Sequence, residues 1–320
     1  MLWPSSAVRP LPSTREKTGA TASNRFIRFV LFPSAEMRPV VLVVQNAEWE
    51  GPGLIDLYAR AAGLGLATAE LFRESTRSPT IPFEELEKGS FSAVVALGSP
   101  STAYLPESNP HHDELVRLFK LTRKRGIPSF NICYSMQLFS VAHGGRVIRN
   151  PAGKEVGFGE VRPTPEGKAD PVIGPIGPYT TLQWHGDIVE VLPKGAVLLA
   201  SSKKTQNEVA VLDGIHYLVQ ADGQAAAPSM IRSWLRHDAK WATLGTGLRT
   251  RDLVGEAVEH EAYLRNTFLR IFGNFVALVL SRETGSATDS LTGALPGLRG
   301  DGWSAGGRSS RRRRTSLSPS

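Results

Sequence analysis

The chain has 320 residues, 41% of them hydrophobic and 8% aromatic, which suits one large globular domain or two and excludes a disordered or fibrous chain. Its single cysteine excludes an intramolecular disulfide and a multi-thiolate metal cluster, and suits a reducing cytoplasm; no apolar run approaches bilayer-spanning length. The net charge of +7 belongs to the ends, because residues 37–282 hold 26 basic and 25 acidic groups, so basicity says little about what the folded part binds.

Residues 1–36 are rich in Pro, Ser, Thr and Arg, and their one apolar run, Phe26 to Phe32, is short and broken by Arg28. That is poor material for a signal peptide, and a start site placed upstream of Met37 explains the segment as well as targeting does. It is expected to be disordered or loosely docked. Pro39 to Gln45 is a β-branched run of the kind buried on both faces of a parallel sheet. A helix over about 53–62 follows, then strands over Leu66 to Phe72 and Phe91 to Leu97, the latter ending in Gly98-Ser99-Pro100. Asp113 to Arg125 reads as an amphipathic helix with Leu115, Val116, Phe119 and Leu121 inward. This alternation predicts an α/β, three-layer, doubly wound and mostly parallel sheet.

Ile127 to Ile132 reads as a buried strand, and Met136, Phe139 and Val141 follow at helical spacing until Gly144-Gly145. Cys133 therefore sits at a strand-to-helix corner, where the helix N-terminus favours thiolate. A lone cysteine is more often a small buried hydrophobe, and the corner is what sets this one apart. Further on, Arg146 to Ile148 and Gly157 to Val161 read as antiparallel strands around a loop, and 163–178 as a long connection. Next come Thr180 to Asp187, containing Trp184-His185-Gly186-Asp187, then Leu192-Pro193 and the strand Ala196 to Ser202. After Gly214, Ile215 to Gln220 is a strand and Pro228 to Leu235 a helix containing Trp234. An apolar stripe from Leu253 to Leu278 predicts a helical extension packed on the domain or on a second subunit. Residues 283–320, ending in Arg311 to Arg314, are expected to be a disordered basic tail.

Asn131-Ile132-Cys133-Tyr134-Ser135-Met136-Gln137-Leu138 resembles the nucleophile corner of the class I glutamine amidotransferases, with Asn131 and Ser135 standing where that family has glycine. The Gly98-Ser99-Pro100 turn resembles its Gly-Gly-Pro, and Trp184 to Asp187, Leu192-Pro193 and Leu198 to Ser201 follow its order. The likeness covers roughly 38–237 and is nearest the free-standing members similar to the amidotransferase part of GMP synthetase. It implies a flavodoxin-like domain over 37–237, with the helical extension over 238–282. It also implies Cys133 as nucleophile for glutamine amide hydrolysis, as in the transferases and hydrolases of this family. Ser99 and Tyr134 would supply oxyanion-hole N–H groups, and Gly98, Pro100, Gln137, Trp184 and His185 would form the substrate side.

The base is where the resemblance breaks. The family's Gln-Phe-His-Pro-Glu is here Gln220-Ala221-Asp222-Gly223-Gln224, so Asp222 stands at the histidine position and Gln224 at the glutamate position. A carboxylate beside a thiol raises the thiol pKa, and Gln224 cannot ionise. The leading expectation is a catalytically impaired member, a pseudoenzyme that takes glutamine or a related small molecule. An active glutaminase or other hydrolase with His185 as base is the alternative, and nucleic-acid binding through the arginine tail ranks third. No cofactor or metal is implied; a homodimer or a partner synthetase is the expected association, with nucleic acid and membrane disfavoured.

Overall fold

The computed structural model describes residues 27–30, 39–73 and 81–284. The expected basic tail beyond residue 284, and most of the N-terminal extension, lie outside the described residues. Inside that extension, Ile27–Val30 (β1) forms an edge strand antiparallel to Gly65–Glu70 (β3). The centre of the sheet is parallel: β3, Val40–Gln45 (β2), Ala93–Ala96 (β4), Ser129–Ile132 (β5) and His216–Val219 (β12) lie side by side. Beyond β12 the sheet continues antiparallel through Val209–Leu212 (β11), Val197–Ser202 (β10), Glu155–Pro163 (β7) and Tyr179–His185 (β8).

The expected hairpin between residues 146–148 and 157–161 is not formed. Arg146–Arg149 (β6) pairs instead with Asp187–Val191 (β9) in a small separate sheet, while β7 joins the main one. Adjacent apolar runs do not reveal which distant strand each will meet. The connection over 163–178 contains a short helix, Pro165–Ala169 (α5), capped by the Thr164 hydroxyl.

Period-two alternation builds two apolar faces. Val41 and Val43 of β2 point to one side, with Phe130 and Tyr217, and meet Leu54–Ala62 (α1) and Glu261–Thr284 (α8). Leu42 and Val44 point to the other, toward Phe83–Glu87 (α2), His112–Arg125 (α3) and Tyr134–Ala142 (α4). The apolar stripe predicted over 253–278 is divided between Thr250–Glu259 (α7) and α8, with the break at His260. The preceding helix, Pro228–Thr243 (α6), runs on through position 237. α8 docks on the chain's own sheet: Phe275 lies 5.3 Å from Phe130 and Phe272 meets the same ring edge-on. Phe275→Ala is expected to cost about 3 kcal/mol in urea unfolding. A loss below about 0.5 kcal/mol would show that α8 is not part of this core.

Candidate active site

The site is built at the carboxyl ends of the parallel strands, where loops converge. Cys133 follows β5 and Asp222 comes three residues after β12; the two strands pair Ile132 with Val219, and the Cys133 N–H donates to the Val219 carbonyl at 2.8 Å. Cys133 is the N-cap of α4 with φ 51°, ψ −113°. A non-glycine residue there costs on the order of 1–3 kcal/mol and holds the side chain clear of the sheet. The residues that replace the corner glycines find partners. The Ser135 hydroxyl donates to the Leu97 carbonyl at 2.6 Å, and Asn131 donates to Ser129 Oγ and the Tyr217 carbonyl.

Gly98 lies at the meeting point. A Cβ on it would stand 2.6 Å from Glu50 Oε2, 3.4 Å from Asp222 Oδ1 and 3.6 Å from Cys133 Cβ, so a side chain there would have to displace the Glu50 carboxyl. The turn is held by Asn46, which donates to the Leu97 and Gly98 carbonyls. Ser99 keeps a negative φ, since Cys133 and Asp213 are the described non-glycine residues with positive values. Its hydroxyl is engaged with Ser101. Tyr134 directs its backbone N–H at the thiol, and its phenol accepts from Asn109.

A cavity of about 350 Å³ opens over Cys133 and is lined by Ser99, Pro100, Tyr134, Gln137, Trp184, His185 and Asp222, so these predicted residues are brought together. That volume suits a small metabolite. Gln224 does not line it but donates to Asp222 Oδ1 at 3.2 Å. Gln137 is tied by its amide to the Asp187 carbonyl and to Gln220 Oε1, and Gln220 in turn directs its amide at Cys133 Sγ from 3.7 Å. Trp184 packs edge-on against Trp234, with Trp241 at 6.1 Å.

Glu50, Asp238, Gln220 and the tryptophans 234 and 241 were not singled out by sequence reasoning. Glu50 sits in the loop after β2, docked against the Asp222 turn because Gly53, at φ 51°, lets the chain approach Gln224 more closely than a Cβ would permit. The Gly51-Pro52-Gly53 run just beyond a strand's carboxyl end was the available signal.

Electrostatics corrects one expectation, that the helix N-terminus would favour thiolate. Burial pushes the Cys133 thiol well above its ordinary value, and the carboxylates of Asp222 and Glu50 push it further; the Tyr134 N–H opposes them without prevailing. Burial raises Asp222 to about 7, against the hydrogen bonds from Gln224 and Cys133. Glu50 is raised well above the carboxylate range by burial, then by Asp222 and Asp238. Burial and like charge thus favour the protonated forms of Glu50 and Cys133, while Asp222 titrates near neutrality. His185 is buried with both ring nitrogens engaged, Nδ1 against the Asp187 carbonyl at 3.2 Å and Nε2 against Gln183 Oε1 at 3.0 Å. Burial lowers its pKa to about 4.

A family model, glutamine amidotransferase class-I, matches residues 67–215, which include the Gly98 turn and the Cys133 corner. Over these residues the chain is similar to the class I glutamine amidotransferases. Asp222 and Gln224 lie beyond the matched residues of this amidotransferase-like chain. GMP synthase [glutamine-hydrolyzing] of Bacillus cereus is 32% identical over 145 residues, covering 43% of this chain and 26% of the relative. The Bacillus mycoides protein of the same name is 33% identical over 126 residues, 39% of this chain and 22% of its own. The chain thus spans about a quarter of the length of the curated relatives it matches. Among solved structures, a glutamine amidotransferase from Thermotoga maritima superposes with TM-score 0.64 at 23% identity, over 75% of this chain and 99% of its own. One from Methylobacillus flagellatus gives 0.59 at 18%, over 76% and 95%. These superpositions establish the shared fold. No helix among the described residues is long and apolar enough to cross a membrane.

Proposed function

We propose that this amidotransferase-fold protein takes glutamine or a closely related small molecule into the Cys133 cavity and hydrolyses its amide poorly or not at all. The observation that carries this reading is the pairing of Cys133 with Asp222 in place of an imidazole. Nucleophilic amide hydrolysis needs a thiolate to attack and a proton donor for departing ammonia. Asp222 works against the first by raising the thiol, and with Gln224 beside it in place of an acid it has no ionisable partner to take up and return its proton for the second. The preserved Gly98 turn, the free Ser99 backbone and the Tyr134 N–H support retained ligand binding. His185 is a poor substitute base, since burial lowers its pKa to about 4. A partner synthetase, or a second copy of the chain, is the expected setting for such a domain.

The test measures glutamate release from glutamine by purified wild type and Cys133→Ala, together with iodoacetamide alkylation of Cys133 across pH. Release by the two proteins is expected to be indistinguishable. Alkylation is expected to stay slow at neutral pH and to rise only above the ordinary thiol range, because a raised thiol pKa leaves little thiolate below it. Robust wild-type turnover abolished by Cys133→Ala would sink the proposal, and would direct attention to His185→Ala.

A further inference from the structure

A second cluster lies behind the substrate side of the cavity, where the antiparallel strands meet. Glu155 opens β7, Gln183 and His185 belong to β8, and Glu208 immediately precedes β11. All four are buried, Glu208 completely. One ligand atom each of Glu155, His185 and Glu208 lies within 4.8 Å of the others.

The hydrogen-bond directions leave this cluster short of a positive charge. His185 Nδ1 faces the Asp187 carbonyl, which can only accept, so the ring hydrogen sits on Nδ1 and Nε2 presents a lone pair. The Gln183 amide donates its NH₂ to Glu208 Oε1 at 2.8 Å, which turns its own oxygen toward His185 Nε2 at 3.0 Å. Glu155 Oε2 stands 3.5 Å from the same nitrogen. Glu208 Oε2 is buried, with the Ser202 hydroxyl as its one neighbour of hydrogen-bonding character among the described residues. Acceptor atoms of an imidazole, an amide and two carboxylates thus converge; Thr205 and Ser202 hydroxyls donate to Glu155, but among the described residues no lysine or arginine forms an ion pair with either carboxylate. Glu155 and Gln183 also line an open groove of about 580 Å³ along β7, so two members of the cluster border it.

We propose that Glu155, His185 and Glu208 bind one first-row divalent cation, with Gln183 Oε1 as a fourth donor. A set of one imidazole nitrogen and carboxylate and amide oxygens suits Zn²⁺ or Mn²⁺ better than the softer metals that thiolates select. The ion would tie β7, β8 and the start of β11 together and fix His185, whose other side lines the Cys133 cavity. The competing arrangement uses a proton: Glu208 as an acid donates to a flipped Gln183, whose NH₂ then donates to His185 Nε2.

Tag-free, full-length protein stripped with chelator and titrated with Zn²⁺ and with Mn²⁺ by calorimetry decides between them. One of the two ions is expected to bind at about one equivalent and to raise the melting temperature in excess metal. Glu208→Gln and Glu155→Gln, shown folded by far-UV circular dichroism, are expected to bind at least roughly tenfold more weakly. Substoichiometric binding by wild type, or equal binding by Glu208→Gln, would overturn the site in favour of the proton network. If neither variant folds, the visible spectrum of wild type with Co²⁺ decides: bands distinct from aqueous Co²⁺ support nitrogen and carboxylate ligation, and an aqueous-like spectrum overturns it.

Discussion

The double variant Asp222→His with Gln224→Glu is expected to release glutamate from glutamine roughly 10²–10⁴-fold faster than wild type, the range a positioned general base supplies. The pocket is already shaped for the change. Asp222 hangs from the end of β12 beside Cys133, and Gln224 already donates to the residue at 222, so a glutamate there would accept from an imidazole along the same line. The substitution also removes the buried carboxylate that pushes the thiol upward, so the alkylation profile should shift toward lower pH in parallel. Adding Asn131→Gly or Ser135→Gly is not expected to help. Ser135 holds the Leu97 carbonyl next to the Gly98 turn and Asn131 holds the Tyr217 carbonyl, so each deletion removes a buried hydrogen bond that steadies the corner. Adding Cys133→Ala to the double variant must remove the gain. A gain that survives without the thiol, or no gain in a folded variant that still binds glutamine, counts against the proposed cause of impairment.

Asp222→Asn is expected to raise stability by an amount that grows with pH, approaching on the order of 4 kcal/mol above pH 7. The folded carboxyl is raised from 3.8 to about 7 by burial, and each pKa unit corresponds to roughly 1.4 kcal/mol. Between these values the folded state holds a proton that the unfolded chain has released, so wild-type stability falls as pH rises from about 4 to about 7 and the cost is complete above that. Asparagine has the shape of the protonated acid and pays none of it. Urea unfolding at pH 5 and pH 8 measures the difference directly, and equal wild-type and variant stability at pH 8 would falsify the burial argument. The direction runs opposite to that of a salt-bridged aspartate, whose loss destabilises.

Much of the architecture was readable in the residues. The continuous β-branched run at 40–44 and the alternation of strand and helix announced a parallel sheet, and the strand-corner-helix pattern at 129–142 placed Cys133 where it stands. What was lost was long-range pairing. β6 meets β9 and β7 meets β8, because register is decided by neighbours far away in sequence, and period-two patterns alone do not name them. The site was legible where a motif carried it and dark where a loop did. Asp222 and Gln224 were found by their place after Gln220, but Glu50 is one acid among many until Gly53 brings its loop against the Asp222 turn. The cluster of Glu155, His185 and Glu208 has no local spacing signature, since three different stretches of the antiparallel sheet deliver its members. The Cys133 shift was legible in part: the upward push of Asp222 was expected from the sequence, whereas the burial and the Glu50 carboxylate that help it outweigh the helix terminus depend on distant packing.

Cys133 N–H is bonded to the Val219 carbonyl at the end of the β5–β12 ladder and the Asp222 N–H to the Leu182 carbonyl of β8, so main-chain bonds fix the frame in which the two side chains meet. Identity at position 222 is therefore mechanically decoupled from the frame that presents it. A side chain can be exchanged there without moving the pocket, and a backbone superposition registers nothing when it is. Fold likeness to an amidotransferase is for this reason silent about turnover, and chemical reactivity in such a lineage can drift by single substitutions while its outline stays fixed.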